Sequence, residues 1–411
     1  MLGFNAENPH RGSVMSMFAV FQKTRKYAIR AIAALSFAAL AACEPIQLTG
    51  PVGGGGGPTI NTAAPVPVAL LVPGGGSAGD GIVARDLENA ARLAMADLRG
   101  VEIDLRVYNT GGNAQQAAAL AQRAVDDGAK VILGPLFAEA ANAAGVAVAD
   151  DGVNVLSFSN NTSIAGGNVF VLGSTFDNTA DRLVNYAKRQ GKQRILVVHA
   201  RNLAGQVGRD AIRKALARHG VAQAGITEYE FSQEGVLSAV PRIEGAISAQ
   251  GADAIFLTSD TAGALPLFAQ MLPEAGVTPA DTQFIGLTRW DIPQQTLALP
   301  GVQGGWFALP DPTMSARFRS RYEAAYGAAP HPLAGLAFDG IAAIGALVGQ
   351  GNRDALQGSA LTQASGFVGT NGVFRLRADG TNQRALAVAT VRNNQVVILD
   401  PAPTSFRGAG L

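Results

Sequence analysis

The chain has 411 residues, with 32 basic and 31 acidic side chains and a single cysteine. This near-neutral balance argues against a nucleic-acid partner, because binding a phosphate backbone calls for a basic surface. One cysteine excludes an intrachain disulfide and a thiolate metal cluster. The length is sufficient for two domains of ordinary size.

The N-terminus has the pattern of a secretory signal peptide, in which a basic segment ending at Arg30 precedes the apolar run 31–42. The run is shorter than the roughly 20 apolar residues that span a bilayer. It closes with Leu-Ala-Ala before Cys43 and resembles the bacterial lipobox, whose cysteine is freed by cleavage and acylated. The resemblance implies a signal peptide over 1–42 and a lipid anchor on Cys43. It places the protein on the periplasmic side of the envelope, at the outer membrane rather than the inner. The alternative is an inert cysteine ending an uncleaved helix.

Residues 43–65 are predicted to form a flexible tether. They are rich in glycine, proline, threonine and asparagine around the run 53–57, and they show no apolar periodicity. Chains of this composition behave as flexible coils. A body attached through such a segment would stand off the membrane surface.

Short apolar runs then alternate with segments whose apolar residues recur at helical spacing. Because each strand returns through a helix, the strands are expected to pair in parallel. The predicted elements are strand 66–72, a helix through Leu87 and Leu98, strand 101–108, helix 114–125, strand 130–133, helix 138–149 and strand 153–157.

The same alternation begins again after residue 178, which predicts a second α/β lobe. A long helix over 333–348 and a β-rich tail over 366–399 follow, with turn signals at 378–380 and 393–394. The predicted elements before that helix are helix 179–190, strand 194–199, helix 208–219, strand 226–231, helix 236–249, strand 254–258, helix 262–271 and strand 283–286.

The glycine-rich stretch 74–79 matches two catalytic patterns, and both fail in context. Gly74, Gly76 and Gly79 fit a dinucleotide fingerprint, but the second strand ends in Tyr-Asn rather than in the acid that binds the ribose. Ser77 fits a nucleophile elbow, yet it lies several residues beyond the strand end, where no strained turn is expected. A flexible loop that opens a helix near a cleft explains the stretch better.

No other constellation indicates catalysis or metal binding. The mature histidines lack a second histidine or a carboxylate at ligand spacing on one helix face. The acid pairs 126–127 and 150–151 stand beside glycines, as turn residues do. The sequence therefore predicts a non-enzymatic protein with no cofactor and no metal.

Residues 66–400 resemble type I periplasmic solute-binding proteins of the leucine-binding group. The segments that carry the resemblance are 68–73, 113–135, 155–161 and 369–377, together with Ala334, Phe338 and Asp339 of the long helix. It implies an α/β fold of two doubly wound parallel-sheet lobes joined by a three-stranded hinge. The N-terminal lobe would comprise 66–176 with 312–366, and the C-terminal lobe 177–311 with 367–400.

The resemblance also implies a ligand cleft between the lobes that closes by hinge motion. Ser159 and Asn161 would bind a ligand carboxylate, and Asp260 would bind an ammonium group. The full set of candidate lining residues is Phe137, Ser159, Asn160, Asn161, Asn202, Asp260, Thr288 and Trp290.

Two departures point away from an α-amino acid. The loop 134–137 lacks the small hydroxyl residue that amino-acid receptors place there, and Thr288-Arg289-Trp290 offers no acid. The altered loop and the lipidated start resemble the lipoprotein activators of penicillin-binding proteins. The leading interpretation is therefore an envelope lipoprotein that regulates a membrane-bound peptidoglycan synthase. The alternative is a receptor that delivers an amino acid or a similar small polar solute to an ABC permease.

Overall fold

The computed structural model describes residues 57–406. The predicted signal peptide, Cys43 and most of the predicted tether lie outside the described residues. Among the helices within that range, none is long and apolar enough to cross a membrane.

The first lobe is built on a five-stranded sheet in the order β2-β1-β3-β4-β5, and every neighbouring pair is parallel. Its inward side chains are valine, leucine and phenylalanine, which pack against α1 and α9 in one buried cluster. The elements are β1 Val66–Val72, α1 Ala78–Met95, β2 Ile103–Asn109, α2 Ala114–Asp126, β3 Val131–Leu133, α3 Ala138–Ala147, β4 Asn154–Ser157, β5 Val169–Val171 and the later helix α9 Gly335–Val348.

The second lobe is built on a seven-stranded sheet in the order β15-β14-β10-β9-β8-β6-β7. Strands β6 to β10 are parallel, as the repeated strand-helix pattern predicts, whereas β14 pairs with β10, and β15 with β14, in antiparallel fashion. The elements are α4 Phe176–Arg189, β6 Arg194–Ala200, α5 Leu203–His219, β7 Ala222–Tyr229, α6 Gln233–Gln250, β8 Ala254–Leu257, α7 Leu265–Glu274, β9 Gln283–Gly286, β10 Trp306–Leu309, β14 Ala387–Arg392 and β15 Gln395–Asp400.

A small antiparallel sheet connects these units, because its Asn382 donates to the Val171 carbonyl of the first lobe and accepts from Asn178 of the second. Its predicted turn at 378–380 is present, with Gly380 at a φ of 77°. The second predicted turn, Asn393-Asn394, joins β14 to β15 with both residues at positive φ, as a tight hairpin requires. The remaining elements are α8 Pro312–Tyr326, α10 Gly358–Leu361, β11 Phe367–Gly369, β12 Gly372–Leu376 and β13 Asn382–Arg384.

A buried ion pair lies where the small sheet meets the first lobe. Arg384 on β13 contacts Asp339 on α9 at 2.9 Å, and both side chains are almost fully buried. The Asp339 carboxylate also accepts hydrogen bonds from the backbone and hydroxyl of Thr370, while Arg384 donates to the Leu172 carbonyl. Each charged group is therefore paired and hydrogen-bonded, as burial demands.

The predicted tether is ordered at its end. Ile60 is buried in the core of the first lobe, and its backbone nitrogen donates to the Arg353 carbonyl at 2.9 Å. A Cβ on Gly57 would lie 3.0 Å from the Gly152 carbonyl, just before β4 begins. The chain thus enters the first lobe at the amino end of its strands, away from the loops that follow them.

The sequence patterns missed several elements, among them β5, β10 and α8. Both β5 and β10 are short and follow glycine-rich loops, so their apolar runs carry little periodicity. Helix α8 buries only Tyr322 and therefore lacks an apolar stripe.

Candidate functional site

The carboxyl ends of the first lobe's strands bring several loops together. After β3 the chain turns through Gly134 and Pro135, and the Pro135 carbonyl accepts hydrogen bonds from Phe158 N at 3.0 Å and Ser157 Oγ at 3.1 Å. The loops after β3 and β4 therefore form one connected edge. This is the edge at which open α/β sheets bind ligands.

Phe137 occupies the N-cap position of α3 and forms no side-chain cap there. Its ring lies over the loop after β2, because a Cβ on Gly112 would be 2.8 Å from it. The side chain remains exposed. An exposed aromatic surface thus stands at the N-terminus of α3, where the resemblance predicted a ligand loop.

The loop after β4 uses most of its polar groups internally. Ser159 is buried, and its hydroxyl accepts a hydrogen bond from Asn161 N at 3.1 Å. The side-chain oxygen of Asn161 accepts from Ser163 N at 2.9 Å, and its amide donors are left for a ligand. Asn160 is exposed on the same loop.

In the second lobe Asn202 caps α5. Its side-chain oxygen accepts from Gly205 N at 2.8 Å, and its amide donors are left over. Two apolar side chains follow it on the surface, Leu203 at 77% exposure and Val207 at 46%.

Replacing Asn202 with alanine is expected to lower the free energy of unfolding by about 1 kcal/mol, because the first turn of α5 loses its cap. Urea unfolding measures this change. The matched control is Leu203→Ala, which removes an exposed side chain and should change stability by less than about 0.5 kcal/mol. A stability loss from the control as large as that from the Asn202 variant would contradict the capping role.

Asp260 follows β8 and stands beside an aromatic side chain. A Cβ on Gly263 would lie 2.8 Å from Asp260 Oδ1 and 3.1 Å from the ring of Phe231, which is 59% exposed. Within residues 57–406, no cationic side chain forms an ion pair with Asp260. Burial raises the pKa of the Tyr229 hydroxyl, and the negative charge of Asp260 adds to the rise. The structure therefore offers a carboxylate beside an exposed ring.

The ring of Phe231 also lines a small depression of about 160 Å³. The other lining residues are Ser232, Gln233, Val236, Gly263, Ala264 and Leu267. Ile292, after β9, is a further exposed apolar side chain at the same edge, where its carbonyl accepts from Thr261 Oγ1 at 2.7 Å. Exposed apolar side chains thus lie at the carboxyl edge of the second sheet near Asp260.

The basic side chains at this edge are already paired. Arg201 binds Glu228 at 2.6 Å and Glu230 at 2.8 Å, and Arg289 binds Asp291. Neither is available to bind a ligand anion without first releasing its acid.

The prediction that Trp290 lines a cleft is wrong. Its side chain is 0% exposed and stacks on Phe307 in the core of the second lobe, with ring centroids 6.0 Å apart. Gly286 and Gly305 provide the space for the indole, because a Cβ on either would overlap it. Thr288 is half-buried, and its hydroxyl donates to the Ser259 carbonyl at 3.2 Å.

The structure thus brings Phe137 together with Ser159, Asn160 and Asn161 at one edge, and Asn202 with Asp260 at the other. Sequence reasoning missed Phe231, Leu203 and Ile292, because an apolar side chain after a strand is indistinguishable from a core residue until burial is known. In the described part of the chain, no cluster of three potential metal ligands occurs.

A family model described as periplasmic binding protein matches residues 65–395. No curated protein matches the chain. A solved structure from Rhodospirillum rubrum, provisionally assigned as a branched-chain amino acid ABC transporter, is 21% identical with a TM-score of 0.70. It covers 82% of this chain and 100% of its own.

Two ligand complexes are also similar. The branched-chain amino acid substrate-binding protein of Streptococcus pneumoniae in complex with isoleucine is 15% identical, with a TM-score of 0.54 and coverage of 83% of this chain and 100% of its own. A solute-binding protein of R. palustris in complex with benzoate is 18% identical, with a TM-score of 0.53 and coverage of 85% and 99%. At these identities the likeness shows the fold.

Proposed function

The chain belongs to the periplasmic binding protein family, and from that premise we propose that it is a non-catalytic solute-binding protein of the cell envelope. It binds a small ligand between its two lobes and delivers it to an ABC permease. The names of the similar structures support this receptor over a regulator of a peptidoglycan synthase, which was the leading interpretation of the sequence.

Asp260 with the ring of Phe231 is the observation that carries the proposal. A carboxylate next to an exposed aromatic face attracts a cation through both the ion pair and the ring. The neighbouring apolar depression accommodates an apolar body. The cations at the same edge are occupied, so a free carboxylate on the ligand gains little. We therefore expect an amine with an apolar group rather than an α-amino acid.

Closure of the two lobes around a ligand follows from the position of the candidate residues on both lobes. A ligand held by Asp260 on one lobe and by the ring of Phe137 on the other contacts both lobes only when they approach each other. Ligand binding would then favour the closed arrangement, which is the form a permease distinguishes. An anchor at Cys43 would leave this edge free, because the chain enters at the opposite edge of the first sheet.

A thermal-shift screen tests the proposal. Phenethylamine and isoamylamine serve as amine probes, with leucine, isoleucine and benzoate for comparison. A ligand at about 100 times its dissociation constant adds roughly 2.7 kcal/mol to the stability of the folded chain. Stabilisation by an amine supports the proposal. If none of the five compounds stabilises the chain, the receptor function loses its support.

The Asp260→Asn substitution is expected to weaken amine binding by at least about tenfold, because a hydrogen bond to a charged group is worth about 1.5–3 kcal/mol. Isothermal titration calorimetry measures the affinity. The matched control is Asp150→Asn, an exposed acid beyond the end of α3, and it should bind the amine as the unchanged chain does. Equal affinity in both variants would exclude Asp260 from the site.

Regulation of a peptidoglycan synthase remains the second candidate, and one observation favours it. Several polar side chains at these edges form hydrogen bonds within the chain, namely Ser159, Thr288, Asn161 and Asn202. The apolar side chains at the same edges are exposed. Such an edge suits contact with a protein. Stimulation of a purified synthase by the purified chain, lost in the Phe231→Ala variant, supports this function, and unchanged synthase activity contradicts it.

A further inference from the structure

A second cavity lies beside the small sheet that connects the lobes, and it has a volume of about 290 Å³. Its wall combines Thr162 from the loop after β4, Asp177 from α4, Lys214 from α5, and the turn between β12 and β13. None of the candidate cleft residues lines it. It is therefore separate from the carboxyl-edge site described above.

The deepest charged groups of this cavity are already satisfied. Arg384 is paired with Asp339, and Arg182 contacts Asp400 at 2.8 Å and donates to the Leu386 carbonyl. Neither partner acid is part of the wall. The charges of these two guanidinium groups are therefore neutralised by acids outside the cavity, and the groups are held in place by their ion pairs.

The remaining charged side chains of the wall are equal numbers of acids and bases. Lys214 lies 3.7 Å from Asp177, and Arg218 binds Asp181. On the turn between β12 and β13, Asp379 accepts from Thr381 N at 2.9 Å. Arg377 forms no ion pair with any described residue, and it lines the cavity. Three acids thus face three bases, with one guanidinium available to donate.

We propose that this cavity is a second binding site, for a small neutral polyhydroxylated ligand of the sugar type. A charged ligand would lose hydration free energy on entering the cavity, and a wall with equal numbers of acids and bases would compensate little of that loss. Hydroxyl groups donate to the acids and accept from Arg377 and Lys214 without breaking the ion pairs. Ala385, Leu386 and Pro403 supply a small apolar face for the carbon skeleton.

Occupancy of this cavity is coupled to the arrangement of the lobes. Thr162 belongs to the first lobe, Lys214 to the second, and Arg377 to the connecting sheet. A ligand that contacts all three binds one interlobe angle better than others. It therefore shifts the population toward that angle.

Calorimetric titration of the purified chain tests the site. Glucose, N-acetylglucosamine and maltose are the neutral probes, and glucose 6-phosphate and glycine are the charged comparators. At least one neutral probe should bind, and the charged comparators should bind more weakly. Arg377→Ala should weaken the binding by about tenfold or more, since it removes a charged donor that forms no ion pair among residues 57–406.

Two controls separate this site from the cleft. Arg319→Ala removes an exposed arginine of α8, and Asp260→Asn removes the acid of the carboxyl-edge site. Both should bind the sugar unchanged, and Arg377→Ala should leave amine binding unchanged. Lys214→Ala provides a second variant of the cavity wall. The proposal is overturned if no neutral probe binds, if a charged comparator binds more tightly, or if both wall variants retain full affinity.

Discussion

Replacing Asp339 with alanine is expected to lower the free energy of unfolding by about 3–5 kcal/mol. The change leaves the Arg384 guanidinium buried without its acid, and it removes the acceptor of the Thr370 backbone and hydroxyl. The loss exceeds that of a surface pair because water cannot replace the missing partner. Denaturant unfolding followed by circular dichroism measures it.

The control for this prediction is the exposed pair between Glu88 and Arg92 on α1, where Glu88→Ala should cost less than about 1 kcal/mol. A further variant replaces both members of the buried pair, as Asp339→Leu with Arg384→Met. It should recover part of the stability lost in the single variant, since no unpaired charge remains. A single variant as stable as the unchanged chain would mean that the pair does not support the junction between the lobes.

Replacing Trp290 with alanine is expected to lower the free energy of unfolding by about 3–5 kcal/mol, through the lost burial and the cavity left behind. The indole lies between Gly286 and Gly305 and stacks on Phe307, so neighbouring side chains cannot easily fill the space. A ligand-contacting residue would give the opposite pattern, with weakened binding and little change in stability. Unfolding and amine titration on the same sample distinguish the two roles.

The matched control is Phe231→Ala, which truncates an exposed ring at the carboxyl edge of the same sheet. It should change stability by less than about 0.5 kcal/mol and weaken amine binding. Gly286→Ala provides an independent check, because the added methyl would overlap the indole and is expected to cost about 1–3 kcal/mol. If Trp290→Ala unfolded at the denaturant concentration of the unchanged chain, the packing role would be contradicted.

Most of the α/β architecture could be predicted from the sequence because the signal is local. The valine-rich and leucine-rich runs and the helical spacing of apolar residues predicted β1 and β9 with the observed bounds, and most other elements to within a few residues. The antiparallel pairing of β14 with β10 could not be predicted, since it depends on pairing between distant segments.

The ligand-binding role of the candidate residues stays a prediction, because a side chain's role depends on its neighbours. The polar candidates lie after strands of the two sheets, but the side chains of Asn202 and Ser159 form hydrogen bonds within their own loops. Trp290 was predicted to line the cleft because it follows a strand end in the sequence. It is instead buried in the core, where Gly286 and Gly305 leave space for its indole.

The sequence by itself determined the alternation of strands and helices and the absence of a catalytic pattern in its motifs, since both follow from residue type and spacing. Only the tertiary structure decided which polar groups are free. Among the described residues, no oppositely charged side chain forms an ion pair with Asp260 or Arg377, so both are available. Asp339 and Arg384, 45 residues apart in the chain, form a buried ion pair. Pairing and burial are properties of distances in space, and residue order along the chain does not contain them.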